Sequence, residues 1–175
     1  MALRRPDAER LVRTSGGDVV SIGPLRPGEP EQLFSIFDEV VSSGDGFPQA
    51  PPLTWEVFEA TWLHTTIAVG ARRRDGAELY GAYYMKANFA ARAAHIANAG
   101  YVVARLRRGR GIGRALVEDS VQRAPAAGFG ALQFNLVFEA NPARRLYEAL
   151  GFEPIGRIPK AVDGADAFIY WREVP

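Results

Sequence analysis

Hydrophobic and polar positions along this chain follow two rhythms. Apolar residues that alternate with polar ones, or run unbroken for a few positions, predict strands; apolar residues that return every three or four positions predict helices. Residues 19–25 read as a strand ended by Gly23 and Pro24. Residues 31–41 read as a helix, with Leu33, Phe34, Phe37, Val40 and Val41 at helical spacing and Pro30 near its start. After a glycine- and proline-rich loop at 42–52 comes a second helix, 55–63, capped by Thr54, with Trp55, Phe58 and Trp62 on one side. Strands at 66–72 and 79–87 are joined by an Asp75-Gly76 turn, and 95–104 is a long strand. A helix over 111–124 ends at Pro125 and Gly128. Strand 131–138 carries Leu132, Phe134, Leu136 and Phe138 on one face; helix 142–150 is closed by Gly151; strands 152–158 and 167–171 are separated by a loop at 159–166. The order β-α-α-β-β-β-α-β-α-β-β predicts an α/β fold, a central mixed and mostly antiparallel sheet of about seven strands flanked by four helices.

Composition narrows the picture. The 175 residues predict one domain over 1–175, with 1–15 as a flexible or edge N-terminal segment. A net charge of +1 gives no overall field toward nucleic acid or an acidic membrane, and Arg72-Arg73-Arg74 reads as a solvated basic run, so neither partner is expected. No run is long and apolar enough to cross a bilayer. Residues 1–13 are charged and lack the apolar stretch of a secretory signal, which makes the cytoplasm the expected location. The absence of cysteine excludes disulfides, thiolate catalysis and cysteine-ligated zinc, and no cluster of histidines and carboxylates points to a metal.

The densest chemistry lies in Arg107-Arg108-Gly109-Arg110-Gly111-Ile112-Gly113-Arg114, which follows the apolar run Tyr101-Val102-Val103-Ala104 and opens a helix. Glycines let a backbone approach a ligand closely, and the first helical turn offers unpartnered N–H groups and partial positive charge, which together favour phosphate. The surrounding arginines add charge and bidentate donors. The run lacks the Lys-Ser/Thr of a nucleotide P-loop, and its glycine spacing and late position differ from a dinucleotide-binding turn.

Arg108-Gly109-x-Gly111-Ile112-Gly113 resembles the acetyl-CoA signature of the GNAT superfamily of N-acetyltransferases, whose core is Arg/Gln-x-x-Gly-x-Gly/Ala. Asn141-Pro142-Ala143-Arg144-Arg145-Leu146-Tyr147-Glu148-Ala149-Leu150-Gly151-Phe152 resembles the later motif of the same superfamily. The resemblance covers about residues 65–158. Segments 95–101, 134–138, 155–159 and 81–89 are similar to the fungal acetyltransferases that act on proline analogues such as azetidine-2-carboxylate. It implies acetyl-CoA as cosubstrate and no metal. Val102, Val103 and Arg105 would border the pantetheine arm; Arg108, Gly109, Arg110, Gly111, Ile112, Gly113 and Arg114 would cradle the phosphates; Asn141 and Ala143 would touch the cofactor from the later motif. The acceptor would be a small-molecule amine or imino acid, and the resemblance allows a homodimer.

For catalysis, Asn98 and Asn135 interrupt apolar strands where asparagine is disfavoured. Either they satisfy local backbone, or they orient the acceptor nitrogen or a water that carries its proton away. Tyr147 stands where many superfamily members place a proton donor to the leaving thiolate, and equally reads as a core aromatic. His64, His95 and Glu139 are weaker base candidates. Phe47, Trp55, Trp62, Tyr83 and Phe138 are candidates for an apolar acceptor pocket. The competing functions are protein or peptide N-acetylation and a non-catalytic acyl-CoA sensor.

Overall fold

A computed structural model describes residues 8–175; the expectation for the first seven residues lies outside them. The chain forms β1 (Arg10–Arg13), β2 (Val19–Pro24), α1 (Glu29–Ser43), α2 (Trp55–Phe58), β3 (Ile67–Arg73), β4 (Leu79–Ala87), β5 (Ile96–Val103), α3 (Ile112–Arg123), β6 (Ala131–Phe138), α4 (Ala143–Ala149), β7 (Glu153–Val162) and β8 (Ala165–Glu173). The strands make one sheet in the order β1-β2-β3-β4-β5-β6-β8-β7. Every neighbouring pair is antiparallel except β5–β6.

The sheet has eight strands rather than the seven expected. The additional one, β1, is a four-residue edge strand in the segment expected to be flexible or edge-like, too short to show a pattern by itself. It is set by pairing with β2, from Arg10↔Ile22 to Arg13↔Val19. The loop expected at 159–166 is also corrected. There β7 and β8 continue into a tight hairpin, Val162↔Ala165, across Asp163 and Gly164, both at positive φ. That is the mirror-type turn an Asp-Gly pair favours. The helix expected over 55–63 is α2 followed at once by a π turn, Glu59–Leu63. Thr54 caps it as expected, accepting the Val57 N–H. Within the turn Thr61 donates to the Val57 carbonyl (2.7 Å), and both Phe58 and Trp62 become fully buried.

The sheet is covered on both faces. Leu33, Phe37 and Val41 of α1, with Phe58 and Trp62, pack on Ala82 and Tyr84; Leu116, Val117 and Val121 of α3, with Tyr147 of α4, pack on the face carrying Tyr83 and Met85. Residues 79–85 of β4 are therefore buried without interruption. Two charged groups fix these helices. Asp119 on α3, 1% exposed, accepts from Tyr83 Oη (2.8 Å) and Arg123 Nε (2.6 Å) and pairs with Arg10 of β1. Arg72 on β3, fully buried, donates to Glu29 at the start of α1 (2.5 and 2.9 Å). Removing one partner of such a buried pair costs about 3–5 kcal/mol, because the other charge is left uncompensated.

One feature of the sheet positions the site. The parallel pair β5–β6 holds for only three residues, Ile96↔Ala131, Ala97↔Leu132 and Asn98↔Gln133, after which the strands part. β6 then turns toward β8 through a bulge between Phe134 and Val137. The result is a V-shaped opening in the middle of the sheet. No helix among the described residues is long and apolar enough to cross a membrane.

Candidate active site

A cavity of about 620 Å³ occupies this opening. It passes through the sheet, since Tyr84 and Val102 line it from one face and Phe134 and Tyr147 from the other. Its two ends are built differently.

The first end is main chain. Along β5 the even-numbered residues direct their backbone groups to β4: the Ile96 carbonyl accepts from Asn88, and the Ala104 N–H donates to Tyr80. Odd-numbered residues face the other way, as the His95 carbonyl does in accepting from Gly130. The backbone groups of Tyr101 and Val103 therefore face the opening, where β6 has left them without a strand partner. Val103 rather than Val102 is the exposed edge; Val102 pairs with Ala82.

Beyond Val103 the chain turns into α3 through Gly109 and Gly111, both left-handed at φ 73° and 80°. Gly111 is the residue before the first helical turn, and a Cβ there would collide with Ser15. The β1–β2 turn thus packs directly against this loop. Gly16 donates its N–H to the Arg110 carbonyl (3.2 Å), and Arg110 forms a two-point ion pair with Asp18 (2.6 and 2.9 Å). The Arg110 guanidinium holds the Asp18 carboxyl below its ordinary range. The N–H groups of Ile112, Gly113 and Arg114 have no intrahelical acceptor.

The arginines divide. Arg107 and Arg108 line the cavity, whereas Arg105, Arg110 and Arg114 do not. Arg107 is held by Glu78 (2.7 Å) and lies over the Tyr80 ring. Arg108 makes only long contacts, 3.4 Å to the Val103 carbonyl and 3.4 Å to Asp45. Of the two lining arginines it is the less tightly held. Arg105 stands 3.8 Å from Glu39, and Arg114 pairs with Glu118 one turn along α3. Ile112 sends its side chain into the core, so only its backbone is available to a ligand.

The second end is side chains. Asn98 donates to the Gln133 carbonyl (3.2 Å), tying β5 to β6 at the last paired position, and its Oδ1 accepts a long hydrogen bond from Tyr84 (3.4 Å). Asn135, inside the β6 bulge, exchanges hydrogen bonds with Asn88 (2.6 and 3.0 Å), and its Oδ1 also accepts from Gln133 (2.9 Å). Its oxygen is therefore saturated, whereas that of Asn98 keeps a lone pair free. Tyr84 lies flat over Gly100, where a Cβ would come within 2.6 Å of the ring, and burial raises its hydroxyl to about 12. Phe47, Pro48 and Gln49 line the cavity from the α1–α2 loop, Phe47 packing on Trp62, which in turn packs on Tyr84.

Tyr147 stands between the ends. It lines the cavity at 8% exposure, packs against Phe134 and Tyr101, and its hydroxyl makes no hydrogen bond with any described residue. Burial pushes its ionisation well above the ordinary tyrosine range, so it is a proton carrier at neutral pH. Asn141 caps α4 by accepting the Ala143 N–H (2.9 Å), and both residues border the cavity near Gly46.

This geometry coincides with what comparison with known proteins finds. The family model described as "Acetyltransferase (GNAT) family" matches residues 42–152. The chain belongs to that family. The GNAT chain is 40% identical over 104 residues to N-acetyltransferase aca1 of Schizosaccharomyces pombe, covering 55% of this chain and 50% of that protein. It spans half or less of the length of the curated relatives it matches. Among solved structures, a GCN5-related N-acetyltransferase from Kribbella flavida superposes with a TM-score of 0.82 at 31% identity, covering 89% of this chain and 98% of that one. A phosphinothricin acetyltransferase from Sinorhizobium meliloti, solved with AcCoA, shares the fold with a TM-score of 0.76 at 23% identity over 89% and 88% of the two chains.

Against this GNAT frame, the opening gathers Asn98, Asn135, Tyr147, Val102, Val103, Arg108, Gly109, Gly113, Asn141 and Ala143. Of the expected acceptor aromatics only Phe47 and Phe138 line it. Trp62 is fully buried beneath Tyr84, Tyr83 faces the opposite side toward Asp119, and Trp55 lies at the surface, 39% exposed. Glu139, His64 and His95 are exposed and outside the lining. Tyr84 and Gln49 also line the opening, and neither stands out in the sequence. Tyr84 reads as one apolar position in a continuously buried strand, and Gln49 lies in a loop without periodicity.

Proposed function

We propose that this GNAT domain transfers the acetyl group of acetyl-CoA to the nitrogen of a small-molecule amine or imino acid, a proline-like imino acid being the favoured class. The observation that carries the reading is the opening between β5 and β6, which presents backbone groups of Tyr101 and Val103 that no strand pairs and ends at the glycine-rich start of α3. An amide-bearing arm fits such an edge like an added strand. A pyrophosphate fits the helix start, and Arg108 fits an outer phosphate.

In this reading the neutral acceptor nitrogen attacks the thioester carbonyl carbon. The N–C bond forms, the C–S bond breaks, the nitrogen loses a proton and the thiolate gains one. The Val103 or Tyr101 N–H faces the developing oxyanion. Tyr147 supplies the thiolate's proton and is reprotonated from solvent. The free lone pair of Asn98 orients the acceptor nitrogen, while Asn135, held by Asn88 and Gln133, contributes its remaining N–H. Among the described residues, the only carboxylate lining the cavity is Asp45, beside Arg108 at the phosphate end. With no carboxylate at the acceptor end, the amine must arrive neutral or lose its proton to water.

The test is thiol release from acetyl-CoA, with product masses, across imino acids, amino acids, polyamines, aminoglycosides and N-terminal peptides. Acetylated imino acid is the expected product. Turnover confined to peptides would overturn the small-molecule reading in favour of peptide acetylation. Saturable acetyl-CoA binding without transfer to any amine would favour a sensor.

A further inference from the structure

The acceptor end carries one unneutralised charge. Lys86 on β4 is the cross-strand partner of Asn98 on β5, and its ammonium lies 5.3 Å from the centre of the Tyr84 ring. Asn98 and Tyr84 both line the cavity; Lys86 itself is outside the lining and adjoins it through these two residues. Lys86 is half-buried and has no carboxylate partner among the described residues. Its cross-strand neighbour Asn98 is a neutral amide. This contrasts with the arginines of the phosphate end, each of which stands within 4 Å of a carboxylate. A second observation comes from the α1–α2 loop, which lines the same cavity. Gln49 Oε1 is buried with no hydrogen-bond partner. A buried acceptor left unpaired asks for a donor from outside the chain.

We infer that Lys86 is a specificity-determining residue, which holds an anionic group carried next to the acceptor's nitrogen, while Gln49 accepts a hydrogen bond from that nitrogen. The inference rests on the function proposed above and sharpens it: the acceptor is an amino or imino acid with a free carboxylate, and polycations are disfavoured. A cation unpaired in a half-buried setting attracts an anion more strongly than one at the open surface. A cleft built for polyamines or aminoglycosides would instead present carboxylates at this end.

The experiment compares L-azetidine-2-carboxylate, its methyl ester and spermidine as acceptors for the wild type, K86M and K86R, with melting temperatures measured to confirm folding. The wild type is expected to prefer the free acid over the ester. K86M is expected to raise the acceptor KM for the acid by about tenfold or more, collapsing that preference while the acetyl-CoA KM holds, and K86R to restore part of it. Using the ratio of acid to ester in each variant removes the difference in amine basicity between them. A wild type that prefers the ester or spermidine, or a K86M that loses acid and ester turnover equally, would overturn the role of Lys86 and leave acetyl transfer to a small amine standing. A wild type that binds acetyl-CoA and acetylates none of the three nor any other small amine would overturn both.

Discussion

In the function proposed above, the two ends of the cleft solve recognition in opposite ways. The phosphate end is main chain: a bared strand edge at Tyr101 and Val103, two left-handed glycines and the first turn of α3, braced by the β1–β2 turn. Its side chains mostly satisfy one another, as Arg110 does with Asp18. The acceptor end is side chains converging from β4, β5, β6 and the α1–α2 loop, several with hydrogen-bonding capacity left over. A backbone-built site tolerates side-chain change but not a change in backbone conformation; a side-chain-built site has the reverse sensitivity. The first suits a cosubstrate common to a family, the second an acceptor that differs between members.

Four changes test that contrast. The largest effect belongs to the residue between the ends. Tyr147→Phe should lower kcat by about a hundredfold with both KM values nearly constant, as expected for loss of a general acid. Because burial raises the Tyr147 ionisation, the protonated form persists, and wild-type kcat/KM should climb with pH as the acceptor amine deprotonates, with no fall from this tyrosine at mildly alkaline pH. A bell centred near neutrality would contradict that assignment.

Gly111→Ala comes next. It forces a Cβ onto a residue at φ 80° and against Ser15, costing about 1–3 kcal/mol of strain at the phosphate end. Steady-state kinetics should show the acetyl-CoA KM rising by roughly tenfold, with the acceptor KM little moved. Asn98→Ala should do the converse, raising the acceptor KM by about fivefold, the worth of one hydrogen bond, while sparing acetyl-CoA. If both variants shift the same KM, the two ends do not act separately.

The smallest effect is expected from Asp18→Asn. An exposed ion pair contributes at most about 1 kcal/mol, so acetyl-CoA affinity by calorimetry should drop no more than about fivefold. A larger loss would mean that this side-chain brace, rather than the backbone, holds the phosphate loop.

Much of the fold was legible in local pattern. Strand β6 follows its expected face through Leu132 and Phe134, until the bulge moves the buried position from Leu136 to Val137; α1 repeats Leu33, Phe37, Val40 and Val41 at helical spacing, and glycines mark the start of α3. The misreadings share a cause. Strand β1 has four residues and exists through its partner β2. The hairpin at Asp163-Gly164 lies in a stretch rich in charge, where pairing between β7 and β8 overrides weak strand preference. Tyr83 and Tyr84 are adjacent aromatics in a run buried on both faces, and only the side to which each points separates a core hydrogen bond to Asp119 from a place in the cleft.

The sequence by itself determined the family, because its glycine-rich run is formed by consecutive residues whose backbone conformation is written in their own glycines. It also marked Asn98 and Asn135 as out of place in apolar strands. Only the tertiary structure decided how β5 and β6 part, which arginines line the opening, and that Tyr84 and Lys86 meet Asn98 beside it. Those residues lie on separate strands, and their meeting depends on strand register and on the face each side chain takes, which no local pattern encodes.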